Sequence, residues 1–248
     1  MDDVERLREM VGSAKRIVAF TGAGISTESG IPDFRSPGGI WTKYQPIYFD
    51  DFMASEEMRR ESWRRKFATD ETMLKAEPNA GHRALAKLVE QGRMSAIITQ
   101  NVDGLHQRSG VPEAKIIELH GNTTYASCLD CGHRHELAPI RKAFLEKDEL
   151  PLCAKCEGIV KTATISFGQA MPEVPMLRAQ EEALACDLFI VLGSSLVVYP
   201  AAGFPRLAKR NGAKFVILNR DATDQDRDAD LVIHNEIGPT MSRAIGVN

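Results

Sequence analysis

Short, uninterrupted apolar runs alternating with helical stretches constrain this chain's fold more than any other feature. Residues 16–20, 94–99, 115–118, 163–167, 187–192, 214–218 and 230–233 read as strands. Their Val/Ile/Leu content lacks the polar alternation of a sheet with one wet face, and it fits parallel strands covered on both sides. Between them, Val4, Leu7, Met10 and Val11 recur at helical spacing, and residues 80–90, 181–185 and 201–210 are helical in composition. Strand-helix alternation predicts an α/β fold built on a doubly wound parallel sheet. Two segments break the rhythm, 36–77 and 122–162. The first holds a charged helical stretch over 51–75 that Pro78 closes. The charge run from Glu56 to Lys66 is read as a solvated helix face.

At 248 residues the chain is long enough for one large domain or a domain with a substantial insert. A net charge of −3 offers no basic field for nucleic acid. The longest apolar runs, such as Leu188-Phe189-Ile190-Val191-Leu192, fall far short of a membrane span. The acidic start Met1-Asp2-Asp3 lacks the apolar core of a secretory signal. No membrane partner and no direct nucleic-acid partner are expected, and a cytoplasmic location is.

Three polar blocks come directly after strand-like runs, and open α/β sheets bind ligands at that edge. The first is Gly22-Ala23-Gly24, a turn whose backbone N–H groups can approach a phosphate. Thr27 occupies the third glycine position of the usual dinucleotide fingerprint, and no acidic residue closes the second strand. A tight strand-to-helix turn is the plainer alternative. The polar continuation through Asp33, Phe34 and Arg35 after Pro32 resembles a loop over a site. The second block is Gln100, Asn101 and Asp103; one of them could be a helix cap, but three exceed what capping needs. The third is His120, with Gly121 next to it. An imidazole with an ordinary pKa near 6.5 suits a general base at neutral pH, although a strand-end histidine can also simply bond a neighbour. His82, His106, His133, His135 and His234 are read as structural or surface residues. Gly193-Ser194-Ser195 and Asn219 also sit at strand ends, placed for ribose or adenine contacts or for plain turns.

Cys128-Leu129-Asp130-Cys131 and Cys153-Ala154-Lys155-Cys156 are two CxxC pairs separated by 21 residues. Together they make a four-thiolate cage for one zinc, with no open position for water, so the metal is expected to be structural. The gap is slightly longer than the usual ribbon spacing, and reactive or disulfide-bonded cysteines are the alternative. Cys186, beside an apolar strand, reads as a small buried hydrophobe.

These blocks, in this order, resemble the sirtuin family. The resemblance rests on Gly22-Ala23-Gly24-Ile25-Ser26, Gly30-Ile31-Pro32-Asp33-Phe34-Arg35, Thr99-Gln100-Asn101-Val102-Asp103, His120-Gly121, the cysteine pairs, Phe167-Gly168 and Gly193-Ser194-Ser195-Leu196-Val197-Val198-Tyr199-Pro200. It implies an NAD-dependent protein-lysine deacylase. Residues 1–35, 78–121 and 163–248 would form a Rossmann-like NAD-binding domain, 36–77 a helical module and 122–162 a zinc ribbon. It further implies that Ala23, Thr27, Phe34 and Arg35 line the NAD site, and that Gln100, Val102 and Asp103 hold the nicotinamide and its ribose. Ser194, Asn219 and Ile237 would contact the adenosine half. An acylated-lysine peptide would pair as a strand between Phe167-Gly168 and Leu196-Val197-Val198. His120, with Asn101 and Asp103, would carry the chemistry.

The chain departs from the family where Gln169 replaces a frequent acid and where Lys161-Thr162 replaces a usual Arg-Pro. The stretch Trp63-Arg64-Arg65-Lys66 lacks the tyrosine that accompanies selection of acidic acyl groups, so acetyl or another uncharged acyl group is expected. A mono-ADP-ribosyltransferase or NAD glycohydrolase on the same fold is the competing enzyme. A non-catalytic NAD-sensing or interaction module is the competing binder, disfavoured by the cluster of His120, Asn101 and Asp103.

Overall fold

The computed structural model describes residues 2–34 and 36–247, with the side chains of residues 41 and 43 outside the description. The chain runs α1 (Asp3–Ser13), β1 (Ile17–Thr21), α2 (Ile40–Lys43), α3 (Phe49–Ala54), α4 (Glu56–Lys75), α5 (Ala80–Glu90), β2 (Met94–Thr99), α6 (Leu105–Arg108), β3 (Ile116–Glu118) and β4 (Gly121–Cys128). It continues through β5 (Arg134–His135), α7 (Leu137–Lys147), β6 (Val160–Thr164), α8 (Glu173–Ala185), β7 (Leu188–Leu192), α9 (Phe204–Arg210), β8 (Lys214–Leu218), β9 (Leu231–Ile233) and α10 (Ile237–Ile245).

Six strands form one parallel sheet in the order β3-β2-β1-β7-β8-β9. Numbered within that sheet alone, this is the doubly wound order 3-2-1-4-5-6. The continuous apolar runs are explained by burial on both faces. Alternate residues of β1 go to opposite sides: Ile17 and Ala19 pack with Leu85 and Leu88 of α5 and Met241 of α10, whereas Val18 and Phe20 pack with Ala179 and Ala183 of α8 and Ala208 of α9. Each fully buried Leu, Ile or Phe contributes roughly 1.5–3 kcal/mol, so neither face could be left bare. α5 starts where it does because Asn79 accepts the Gly81 and His82 amides while His82 Nδ1 accepts the Asn79 amide, a reciprocal cap.

The chain changes direction across the sheet between β1 and β7. There the turns after both strands touch backbone to backbone. Gly22 N–H donates to the Leu192 carbonyl at 3.0 Å and Gly24 N–H to the Gly193 carbonyl at 2.9 Å. A Cβ on Gly22 would stand 2.7 Å from Gly193 O, and one on Gly24 would stand 2.7 Å from Gly193 Cα. Only glycine permits this approach, which explains the Gly-x-Gly spacing without a third glycine.

The expected strand over 163–167 is instead β6, which is antiparallel to β4 in a separate three-stranded sheet ordered β5-β4-β6. Lys161, Thr162 and Thr164 give it a polar content that a strand sandwiched between two helical layers could not carry. The domain boundary expected between 162 and 163 therefore falls inside a strand. This small sheet shares an apolar cluster with α4 and α7, in which Trp63, Phe67, Phe144, Ile140 and Val160 meet. Among the described residues no helix is long and apolar enough to cross a membrane.

Candidate active site

A cavity of about 650 Å³ opens at the carboxyl ends of the parallel strands, beside the β1/β7 switch point. Its size is that of a typical small-molecule or cofactor site. The glycine turn contributes Gly22, Ala23, Gly24 and Thr27, and the loop beyond it contributes Asp33 and Phe34. Gln100, Asn101 and Val102 enter from the end of β2, and His120 from the link between β3 and β4. Gly193, Ser194 and Ser195 line it after β7, with Asn219 after β8 and Ile237 at the head of α10. Phe167, Gly168, Val197 and Val198 close the side towards the small sheet. Arg35 lies outside the described residues.

Two residues expected at the site stand apart from the cavity lining. Asp103 sits behind the wall: its Oδ2 accepts from Ser26 Oγ at 2.7 Å and its Oδ1 from the Leu105 amide at 2.9 Å, at the head of α6. It is the residue before the α6 cap, Gly104, and its carboxylate covers the first amide of that helix. Burial raises its pKa, against the lowering effect of the Leu105 and Ser26 hydrogen bonds. Leu196 is buried with a left-handed backbone and faces a second, neighbouring groove.

The polar cluster is internally bonded. Asn101 Nδ2 donates to the Gly22 carbonyl at 3.1 Å and to Ser26 Oγ at 3.2 Å, and its amide donates to Thr99 Oγ1 at 3.0 Å. Gln100 Oε1 accepts from Ser194 Oγ at 2.8 Å. The ends of β1, β2 and β7 are thereby tied together by side chains as well as by the ladder.

His120 Nδ1 lies 3.2 Å from the Gln100 carbonyl oxygen. A carbonyl only accepts, so Nδ1 carries the proton and Nε2 the lone pair. Burial lowers the imidazole's pKa below its ordinary 6.5, against the raising effect of the Gln100 bond. The ring is therefore neutral at pH 7, in the tautomer a base at Nε2 requires.

The sequence missed several lining residues: Glu28, Met171, Arg220, Asn235 and Glu236. Glu28 lay within the glycine-rich block and could have been found there; its Oε1 accepts the Gly238 amide at 2.8 Å and so joins the turn to α10. The others carried no spacing signal.

The four cysteines converge at the end of the small sheet. Their Sγ atoms all lie within 4.8 Å of one another, with Cys128–Cys156 at 3.5 Å and Cys131–Cys153 at 3.6 Å. A tetrahedral zinc with bonds of about 2.3 Å sets its sulfurs roughly 3.8 Å apart, so the cluster fits that ion. α7 occupies most of the stretch between the two pairs, which accounts for their long spacing.

The Sir2 family model matches residues 22–200. The NAD-dependent protein deacetylase of Rhodopseudomonas palustris is 59% identical over 243 residues, covering 98% of this chain and 96% of that protein. The NAD-dependent protein deacylase 2 of Archaeoglobus fulgidus is 39% identical, covering 98% of this chain and 95% of its own length. A solved complex of Sir2 with a p53 peptide and NAD+ superposes with a TM-score of 0.88 at 38% identity, covering 99% of this chain and 98% of that one.

Proposed function

Because the chain belongs to the Sir2 family it is an NAD-dependent protein deacylase, and we propose that the switch-point cavity is its active site with His120 as the general base. The observation that carries this assignment is the His120–Gln100 contact, which leaves a neutral imidazole with its basic nitrogen at Nε2 beside the cavity. Bound NAD supplies the ribose carbon that gives up nicotinamide and the ADP-ribose that receives the acyl group.

Each group of lining residues has its own task. Gly22, Ala23, Gly24 and Thr27 present backbone N–H groups and the start of a helical turn to the phosphates, with Asp33, Phe34 and Arg35 as the loop over them. Gln100, Asn101 and Val102 orient the nicotinamide end. Asp103 acts through Ser26 and the head of α6 rather than by touching the ligand. Gly193, Ser194, Ser195, Asn219 and Ile237 receive the adenosine half. Phe167-Gly168 and Leu196-Val197-Val198 offer two backbone edges between which an acylated-lysine peptide can add as a strand. His120 takes the proton from a ribose hydroxyl as the acyl group moves. Cys128, Cys131, Cys153 and Cys156 hold one structural zinc outside this chemistry.

An uncharged acyl group suits the helical module. Arg64 is paired with Glu57 and Glu61, Arg65 with Glu61 and the Gln45 carbonyl, and Lys66 with Asp70. None of these bases is left to receive an acidic acyl chain.

The test is a panel of acyl-lysine peptides incubated with NAD and read by mass spectrometry. Deacetylation with matched nicotinamide release, and little turnover of succinyl peptide, is expected. NAD loss that needs no acyl-peptide would replace this reading by a glycohydrolase, and ADP-ribose found on protein by a transferase.

A further inference from the structure

Lys161 lies on β6 with only 4% of its surface exposed. No carboxylate among the described residues pairs with it, and burial alone brings its ammonium down to a pKa of about 8. A buried charge without a counter-ion is costly to keep. Its Nζ donates to the Thr164 carbonyl at 2.5 Å and reaches the Thr162 carbonyl at 3.5 Å. The β4–β6 ladder is interrupted in this stretch, between the pairs Gly121–Thr164 and Ala126–Thr162. Thr162 and Thr164 are the β6 residues on either side of that break, so the ammonium ties together the carbonyls at its two edges.

Beyond Thr164 the chain enters the edge proposed to receive the substrate. Ile165 N–H donates to the His120 carbonyl at 2.9 Å, and Phe49 N–H, at the head of α3, donates to the Phe167 carbonyl at 2.9 Å. Phe52 lies on the same helix, and its ring centroid stands 5.9 Å from Lys161 Nζ. Lys161 therefore touches the strand just before the substrate edge and the helix that grips the far end of that edge.

We propose that Lys161 is a positioning residue for substrate: its ammonium sets where residues 165–168 lie relative to His120 and α3, and so governs how an acylated peptide pairs with them. This rests on the reading that the peptide lies along Phe167-Gly168.

The experiment measures deacetylation kinetics of an acetyl-lysine peptide with NAD for wild type, Lys161→Met and Lys161→Arg. Loss of charge-assisted bonds in Lys161→Met is expected to raise the peptide KM about tenfold. The kcat at saturating peptide and the KM for NAD should stay within about twofold. Lys161→Arg, which keeps the donors, should restore the peptide KM to within about threefold of wild type. A wild-type peptide KM in Lys161→Met would overturn the proposal, as would equal losses in peptide KM, NAD KM and kcat, which mark a purely structural residue. Should Lys161→Met yield no folded protein, Lys161→Gln takes its place against Lys161→Arg: a higher peptide KM for Gln supports the proposal and equal values overturn it. Amide exchange separates this from the peptide path itself. If saturating acetyl-peptide fails to protect 165–168 in wild type, the path is wrong; if peptide near the wild-type KM protects them equally in wild type and Lys161→Met, only the role of Lys161 falls.

Discussion

His120 Nδ1 and the Gln100 carbonyl oxygen, 3.2 Å apart, join the imidazole proposed as the base to the first residue of the polar cluster after β2. The bond fixes the ring's tautomer and its place at once. Removing the imidazole should therefore cost chemistry far more than folding. For His120→Ala, kcat is expected to fall about 10²–10⁴-fold, with NAD affinity and thermal stability near wild type. The wild-type pH profile should show an acid limb whose midpoint lies below 6.5, because the neutral ring is the active form and burial lowers its pKa; above that midpoint the limb is flat. Comparison of kcat, NAD binding and melting temperature checks this, and wild-type turnover in His120→Ala would reject the assignment.

Asn101→Ala removes the side-chain donor from Ser26 and from the Gly22 carbonyl, which keeps the Ile25 amide, and Asp103→Asn removes the charge that Ser26 and Leu105 bond. Each change should slow nicotinamide release, by roughly tenfold for a lost interaction of about 1.4 kcal/mol. Isotopic nicotinamide exchange measures that step directly. Wild-type exchange in both variants would mean that the cluster only caps α6.

The zinc site predicts a different pattern. Metal analysis should return about one zinc per chain, and Cys128→Ser should lower the yield of folded protein before it alters mechanism. Folding against the small sheet, not turnover per folded molecule, is the quantity to compare. A stable, zinc-free and fully active Cys128→Ser protein would refute a structural metal.

His82 and His106 meet inside the protein with ring centroids 5.0 Å apart and their planes tilted by 57°. Burial lowers their pKa values to about 4 and about 3. Both folded values lie below the ordinary 6.5, so the unfolded chain takes up protons that the folded protein does not. Stability should accordingly fall as pH drops from about 6.5 towards about 4. Denaturant titrations across that range should show the fall, and His106→Gln should make it shallower. An unchanged slope in that variant would show that other groups set the acid limit.

The parallel sheet, the glycine turn, the cysteine cage and the ligand edge were legible in the chain because each arises from local rules. Strands buried on both faces must be continuously apolar, as in Leu188–Leu192; backbone contact at the switch point demands glycine, as at Gly22 and Gly24; and two thiol pairs suffice to cage a metal. The small sheet was less legible. β4 (Gly121–Cys128) fell almost wholly in the segment assigned as a zinc ribbon, where no strand was expected, and β6 was placed in the parallel sheet, because a short strand's pairing partner leaves no mark in its own residues. Asn235 and Glu236 reach the cavity from the carboxyl end of β9, and Met171 from the turn before α8, where residue type gave no signal.

Sequence alone determined the fold class, the metal ligand set and the strand ends at which His120, Gln100 and Gly193 sit, because these depend on periodicity and residue type. Only the tertiary structure decided that Asp103 stands behind the wall, that His120 is neutral with its proton on Nδ1, and that Lys161 is buried against Thr164 and Phe52. Those facts depend on burial and on partners distant along the chain, which come into being only when separate elements pack.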